Sequence, residues 1–192
     1  MDKLKIKIIL GSVREGRNGE KVWNWLKPQL SQFDSLDFEL VDLKELNLPM
    51  FDEAAVPMAD VPPKSPAAQL WKQKMGESDG FIIITPEYNH AIPGALKNAF
   101  DFLAKEWKNK PVAIISYGAS AGGVRAAEDV RKIFFYMQSF VIPTEINIPY
   151  VWEAFDANGN LPEKLSVISQ KQLAELQKYA EHYKKFREGL EK

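Results

Sequence analysis

The chain of 192 residues contains no cysteine. This absence excludes disulfide bonds, thiolate catalysis and any iron–sulfur or zinc centre held by cysteine. The two histidines, His90 and His182, are too few and too far apart in the sequence to indicate a metal site. We therefore expect no bound metal, and a chain without cysteine is typical of a cytoplasmic protein.

Long hydrophobic runs and an excess of one charge are also missing. No apolar stretch approaches the roughly 18 residues that a membrane-spanning helix needs, so we expect no membrane insertion. The 25 basic and 26 acidic residues give a formal net charge of −1. A nearly neutral chain does not attract nucleic acid as a whole, and we expect none as a partner. The length is most simply explained by one domain over residues 1–192.

Strand-like and helix-like segments alternate along the whole sequence. Apolar runs predict buried strands, and apolar residues at three- and four-residue steps predict helices that face a core. This alternation predicts an α/β fold, a doubly wound parallel sheet with helices on both faces. Five strands in a chain of this length favour the flavodoxin-like strand order 2-1-3-4-5. The predicted strands are 5–10, 38–42, 81–85, 112–117 and 141–148, and the predicted helices are 18–31, 67–75, 93–103, 123–138 and 165–186.

A polar loop over residues 11–19 follows the first predicted strand and opens the first helix. Backbone N–H groups and the positive end of a helix then point at one small volume, which suits a phosphate. Ser12 and Asn18 can add hydrogen bonds, and Arg14 and Arg17 can add charged donors. The loop matches neither the Walker A pattern nor the dinucleotide glycine pattern. An ordinary strand-to-helix turn with surface arginines explains it equally well.

A second loop, over residues 85–90, follows the third predicted strand. Pro86 and Pro93 restrict its backbone on either side, so it could offer a rigid shelf of donors to a planar ring. The alternative is a rigid turn that only connects the strand to its helix, with Glu87 as a cap. His90 fits a hydrogen-bonded loop residue better than a catalytic base.

A third loop, over residues 116–123, follows the fourth predicted strand. Its glycines and small residues let the backbone pass very close to a ligand. The loop also begins a helix, whose uncompensated N–H groups favour negative charge nearby. The alternative is a flexible connection that serves only close packing.

Taken together, the three loops resemble the NADPH-dependent FMN reductase family of the flavodoxin-like superfamily. The resemblance covers about residues 5–150, and the combination of motifs is far more specific than any single one. The motifs are Gly11-Ser12-x-Arg14, Thr85-Pro86-Glu87-Tyr88-Asn89, Ser116-Tyr117-Gly118 with Gly122-Gly123, and the helix signature Pro93-Gly94-x-Leu96-Lys97-Asn98-x-x-Asp101.

This resemblance implies a bound FMN, reduced by NADPH or NADH and reoxidised by a quinone, azo compound, flavin or metal oxyanion in a ping-pong cycle. It names no catalytic acid or base, and it implies a homodimer or homotetramer with the active site near a subunit boundary. The implied cofactor-binding residues are Gly11 with Ser12, Arg14, Asn18 and Gly19 at the phosphate, Pro86, Glu87, Tyr88 and Asn89 along the ring and ribityl chain, and Ser116, Tyr117, Gly118, Gly122 and Gly123 beside the pyrimidine.

Two other functions fit much of the same sequence. A flavodoxin-type electron carrier would share the fold and FMN, although many such carriers are strongly acidic and this chain is not. A flavin-dependent regulatory module could use the five tryptophans and the last helix as a protein interface. Core packing and self-association explain those tryptophans as well.

Overall fold

The computed structural model describes residues 2–59 and 61–190. Its centre is a parallel sheet in the order β2-β1-β3-β4-β5, with β6 also paired to β4. The predicted α/β fold with the flavodoxin-like strand order is therefore confirmed. The strands are β1 (Leu4–Leu10), β2 (Leu36–Asp42), β3 (Gly80–Pro86), β4 (Pro111–Tyr117), β5 (Phe140–Val141) and β6 (Ile146–Ile148).

Helices cover both faces of this sheet. Helices α1 and α6 pack on one face, and α3, α4 and α5 pack on the other, where Trp71 and Trp107 are fully buried. None of the helices within the described residues is long and apolar enough to cross a membrane. The helices are α1 (Gly19–Leu26), α2 (Leu43–Leu46), α3 (Pro66–Gly76), α4 (Gly94–Asp101), α5 (Val124–Tyr136) and α6 (Glu163–Leu190), with 3₁₀ turns at Lys27–Gln32, Pro57–Ala59 and Lys105–Trp107.

The first helix is shorter than the sequence predicts. The prediction of one helix over 18–31 is wrong in its second half, because α1 ends at Leu26 and a 3₁₀ turn continues to Gln32. Pro28 lies at the start of that turn. It has no backbone N–H to donate to the preceding turn, so it interrupts the α-helical hydrogen bonds.

The fifth strand is also not continuous. The prediction of one strand over 141–148 is wrong, because β5 and β6 are separate short strands that both pair with β4. Pro143 lies between them and cannot donate a hydrogen bond to the sheet. The Gln172 side chain fills the gap, since its Nε2 donates to the carbonyls of Ile114 and Thr144 at 2.9 Å each. A side chain of α6 thus replaces a missing strand contact.

A buried lysine, Lys110, directly precedes β4 at the amino-terminal end of that strand. Lys110 is 5 % exposed, and its Nζ donates to the carbonyls of Met75 (2.8 Å) and Gly76 (3.0 Å) at the end of α3. Burial, reinforced by the charge of Arg187, lowers the pKa of Lys110 to about 7. An unfolded lysine has a pKa of about 10.4. Between these values the unfolded chain binds more protons, so the stability that the fold loses by burying this group decreases as the pH rises.

We therefore predict that Lys110→Met changes the pH dependence of stability. The free energy of unfolding of the wild type, minus that of the variant, should rise between pH 7 and pH 10 by up to about 1.4 kcal/mol per pH unit. Urea denaturation of both proteins across this range measures the difference. A difference that stays constant would show that the lysine keeps its proton throughout.

Candidate functional site

The three loops predicted from the sequence lie together at one edge of the sheet. They follow β1, β3 and β4, which are adjacent parallel strands whose carboxyl ends meet there. The first and second loops touch through the Ser12 Oγ and the Tyr88 hydroxyl, which are 2.7 Å apart. The second and third loops are joined by the N–H of Glu87, which donates to the carbonyl of Tyr117 at 3.0 Å. The arrangement joins three separate motifs into one continuous edge.

A buried ion pair anchors the first loop. The side chains of Arg17 and Asp42 are only 4 % and 7 % exposed, and the guanidinium makes a two-pronged contact with the carboxylate. Arg17 also donates to the carbonyl of Ser12. Burial opposes the charge of Arg17, but the hydrogen bond and charge of Asp42 raise its pKa. Arg17 is therefore not a surface arginine, and it fixes the loop to the end of β2.

The start of α1 has backbone donors that no side chain of the described residues caps. Asn18 is the N-cap residue, and its carbonyl accepts hydrogen bonds within the helix, but its side chain caps no N–H of the described chain. Gly19 is buried, as is Ser12 in the loop above it. Arg14 is exposed, and its guanidinium bonds to no described residue. The loop thus combines uncompensated amides with a cation, which is the chemistry of an anion site.

The second loop is a tight two-residue turn. Tyr88 and Ala91 exchange two backbone hydrogen bonds of 3.0 and 3.1 Å, and Asn89 and His90 between them have φ values of 49° and 65°. Both values lie in the left-handed region, as in a type I′ turn. Tyr88 is half-buried, whereas Asn89 and His90 are exposed at the tip. The Tyr88 end of the turn contacts the first loop, through its hydrogen bond with Ser12.

Glu87 has a role that the sequence did not predict. Its Oε2 accepts from the backbone N–H of Arg125 at 3.0 Å, and its Oε1 accepts from the Arg125 guanidinium at 3.3 Å. Since Arg125 lies in the first turn of α5, Glu87 caps that helix and not its own turn. One of the α5 amides expected to meet a ligand is consequently already bonded to a carboxylate.

Two glycines give the third loop its shape. Gly122 and Gly123 have φ values of 63° and 85°, a conformation that side chains disfavour. A Cβ on Gly123 would lie 2.7 Å from the N atom of Tyr117. The N–H of Gly122 donates to the carbonyl of Ala119 at 3.0 Å, so this amide is used within the loop. The contacts of this segment within the described residues are those of close packing against the end of β4.

Ser116 lies inside this loop and not on its open side. It is fully buried, and its Oγ donates to the carbonyl of Gly122 at 2.9 Å and accepts from Asn147 Nδ2 at 2.8 Å. Sequence reasoning missed Asn147 and Asp42, which hold the third and first loops from other strands. A polar residue at the end of an apolar strand was the available signal for Asp42. No local pattern singles out Asn147.

The two ends of Tyr117 belong to different loops. Its backbone lies at the end of β4, but its hydroxyl reaches the start of α1, where a Cβ on Gly19 would lie 2.7 Å from the oxygen. Tyr117 is 3 % exposed, and its hydroxyl has only a weak contact with the backbone N–H of Gly19 and no acceptor for its own proton in the described part of the chain. Burial raises the pKa of this phenol, with a further contribution from Tyr88, so the hydroxyl stays protonated.

Comparison with known proteins gives a consistent picture. A family model described as NADPH-dependent FMN reductase matches residues 4–153. An NAD(P)H-dependent FMN reductase of Nectria sp is 38 % identical over 76 % of this chain and 75 % of its own length. A 2-hydroxy-1,4-benzoquinone reductase of Burkholderia sp is 32 % identical over 82 % of this chain and 85 % of its own. The solved structure of FerB, a flavoenzyme NAD(P)H:(acceptor) oxidoreductase from Paracoccus denitrificans, matches with a TM-score of 0.73 and 25 % identity, covering 94 % of this chain and 98 % of that one.

Proposed function

This chain belongs to the NADPH-dependent FMN reductase family, a family of oxidoreductases, and from that premise we propose that it carries hydride from NADPH or NADH through FMN to a small-molecule acceptor. A quinone is the acceptor class favoured by the relatives, one of which is a 2-hydroxy-1,4-benzoquinone reductase. The observation that carries the proposal is the set of donors without acceptors between β1 and α1. They form a cradle for a phosphate directly beside the two loops that would border a flavin ring.

The residues present fit FMN. The uncapped amides of Gly19 and its neighbour, the Arg14 guanidinium and the one hydroxyl hydrogen left by the Ser12–Tyr88 pair would hold the phosphate. Pro86, Glu87, Tyr88 and Asn89 would follow the ring and ribityl chain, and Gly118, Gly122 and Gly123 would lie beside the pyrimidine. When bound, FMN supplies a centre that accepts hydride from a nicotinamide and passes electrons to a second substrate.

The protein's own contribution is placement. The ion pair of Arg17 with Asp42 fixes the phosphate loop, and Glu87 holds the second loop against the start of α5. The carboxylate of Glu87 is used in that contact, and the reaction needs no acid or base from the protein. The nicotinamide and the acceptor would occupy the same open face in turn, which gives ping-pong kinetics.

The proposal is tested by the visible spectrum of the purified protein and by anaerobic addition of NADPH. We expect yellow absorbance at flavin wavelengths that NADPH bleaches and that a benzoquinone restores. Protein that binds no FMN would overturn the proposal. Protein that binds FMN but is not reduced by NADPH or NADH would favour the electron carrier or the regulatory module. The dimer or tetramer implied by the resemblance stays a prediction, which mass photometry would test.

We predict that Arg14→Ala weakens FMN binding roughly ten- to hundredfold, because a hydrogen bond to a charged group contributes about 1.5–3 kcal/mol. Fluorescence titration of the flavin-free protein with FMN measures the affinity. Lys21→Ala is the matched control, since Lys21 is an exposed cation on α1. Equal weakening in the two variants would show that only general charge matters.

A further inference from the structure

The hydroxyl of Tyr117 is the most unusual polar group near the candidate site. It is buried between the end of β4 and the start of α1. The backbone N–H of Gly19 makes a weak contact with its oxygen, but the hydroxyl proton has no acceptor among residues 2–59 and 61–190. Buried hydroxyls in proteins are almost always hydrogen-bonded, because burial without a partner destabilises the fold. A Tyr117 that served packing alone would be replaced without loss by phenylalanine.

The surroundings of this hydroxyl identify the kind of partner it lacks. It lies at the amino end of α1, where Gly19 is essential because a Cβ there would come within 2.7 Å of the oxygen. The amides of the first helical turn carry partial positive charge and have no capping side chain within the described residues. The hydroxyls of Ser12 and Tyr88 are hydrogen-bonded to each other, and this pair keeps one hydrogen to donate at the same loop. Every one of these groups can donate a hydrogen bond.

The buried carboxylate of Asp42 does not oppose an anion at this point. Asp42 is paired with the Arg17 guanidinium, so its charge is compensated. The phenol of Tyr117 is kept neutral by burial, which raises its pKa. A neutral phenol donates a hydrogen bond to a phosphate oxygen, whereas a phenolate would repel it. The missing partner is therefore an acceptor with negative charge.

We propose that the Tyr117 hydroxyl donates to the phosphoryl group held by the first loop, and that this contact makes the site select FMN over riboflavin. The inference rests on the proposed function and deepens it, because it assigns the side chain of Tyr117 to the phosphate and not to the pyrimidine. Riboflavin has the same ring and ribityl chain without the phosphate. Its binding therefore reports on ring contacts alone.

The test compares the wild type with Tyr117→Phe, which removes only the oxygen. Flavin-free protein is titrated with FMN and with riboflavin, and the melting temperature of each flavin-free protein is recorded. We expect the dissociation constant for FMN to rise roughly tenfold. The dissociation constant for riboflavin should equal that of the wild type. The melting temperature of the flavin-free variant should be equal to or higher than that of the flavin-free wild type. Tyr136→Phe is the control, since Tyr136 is 80 % exposed at the end of α5.

The outcomes separate this inference from the proposed function. Equal weakening of FMN and riboflavin binding, or no change in either, would overturn the phosphate role of Tyr117 while the flavin site stands. A wild type that binds neither flavin would overturn the proposed function. In that case inorganic phosphate becomes the probe: a melting temperature that phosphate raises in the wild type but not in Tyr117→Phe supports the assignment. Any other result with phosphate then rejects it.

Discussion

Replacing Asp42 with alanine should lower the free energy of unfolding by about 3–5 kcal/mol. The carboxylate is the partner of Arg17, and both side chains are more than nine-tenths buried. Without it, the buried guanidinium would keep only the Glu20 carboxylate, which is 58 % exposed and therefore a weaker partner, so about 3–5 kcal/mol is the upper range of the loss. Asp42 also accepts the N–H of Lys44 at the start of α2, and that cap would be lost as well. Chemical denaturation measures the change directly.

The exposed ion pair of α4 provides the control for this prediction. Lys97 and Asp101 are 49 % and 40 % exposed and lie one helical turn apart, so Asp101→Ala should cost only about 0.3–0.5 kcal/mol. The double variant Arg17→Met with Asp42→Leu gives a second comparison. It leaves no unpaired buried charge, since the Glu20 carboxylate that also contacts Arg17 is largely exposed to solvent, and it should recover part of the stability that Asp42→Ala loses. Equal losses in Asp42→Ala and Asp101→Ala would show that burial of the pair is unimportant.

The same substitution should weaken FMN binding. Arg17 holds the first loop through the carbonyl of Ser12, and Asp42 orients the guanidinium for that contact. A loop released from β2 would lose the alignment of its phosphate donors. Titration with FMN under conditions where Asp42→Ala remains folded separates this effect from the loss of stability.

Gly123→Ala is expected to cost about 2–5 kcal/mol. The left-handed backbone at this position, with φ of 85°, contributes roughly 1–2 kcal/mol for a residue with a side chain. The added methyl group would also lie 2.7 Å from the N atom and 2.9 Å from the O atom of Tyr117, and overpacking of this kind costs about 1–3 kcal/mol. Because backbone and not a flexible side chain is in the way, the third loop must shift.

Gly159→Ala is the matched control. Gly159 has a φ of 80°, but a Cβ there would meet no atom of the described chain within 4 Å. Its cost should therefore be limited to the backbone conformation, at about 1–2 kcal/mol. Denaturation curves of the two variants measure the difference, and FMN titration should show weaker binding only for Gly123→Ala. Losses of the same size would mean that the contacts with Tyr117 are relieved by a small local movement.

The sequence predicts the strand order and the three loops because their signals are local. Apolar runs mark buried strands, and glycines and prolines mark the turns that follow them. Two errors also had local signals: Pro28 and Pro143 lie inside the segments predicted as a helix and as a strand. Both prolines remove a backbone donor where regular structure would need one.

The remaining features depend on residues far apart in the chain. Arg17 becomes an anchor only because Asp42 ends the neighbouring strand, and Glu87 caps a helix that begins well after its own loop. The hydroxyl of Tyr117 faces α1 because its side chain leans toward that helix from β4. Such pairings are decided by tertiary packing, which no spacing rule encodes. The loops could therefore be located from the sequence, but not the roles of their side chains.

The side-chain amide of Gln172 makes the last helix a part of the hydrogen bonding of the sheet. A chain cut before this residue would leave the carbonyls of Ile114 and Thr144 without the Gln172 donor. The backbone of β4 would then be exposed and unpaired in the gap between β5 and β6. Unsatisfied strand borders are templates for pairing with other molecules. Truncation of the carboxyl-terminal segment should consequently promote aggregation, although that segment lies outside the motifs that define the family.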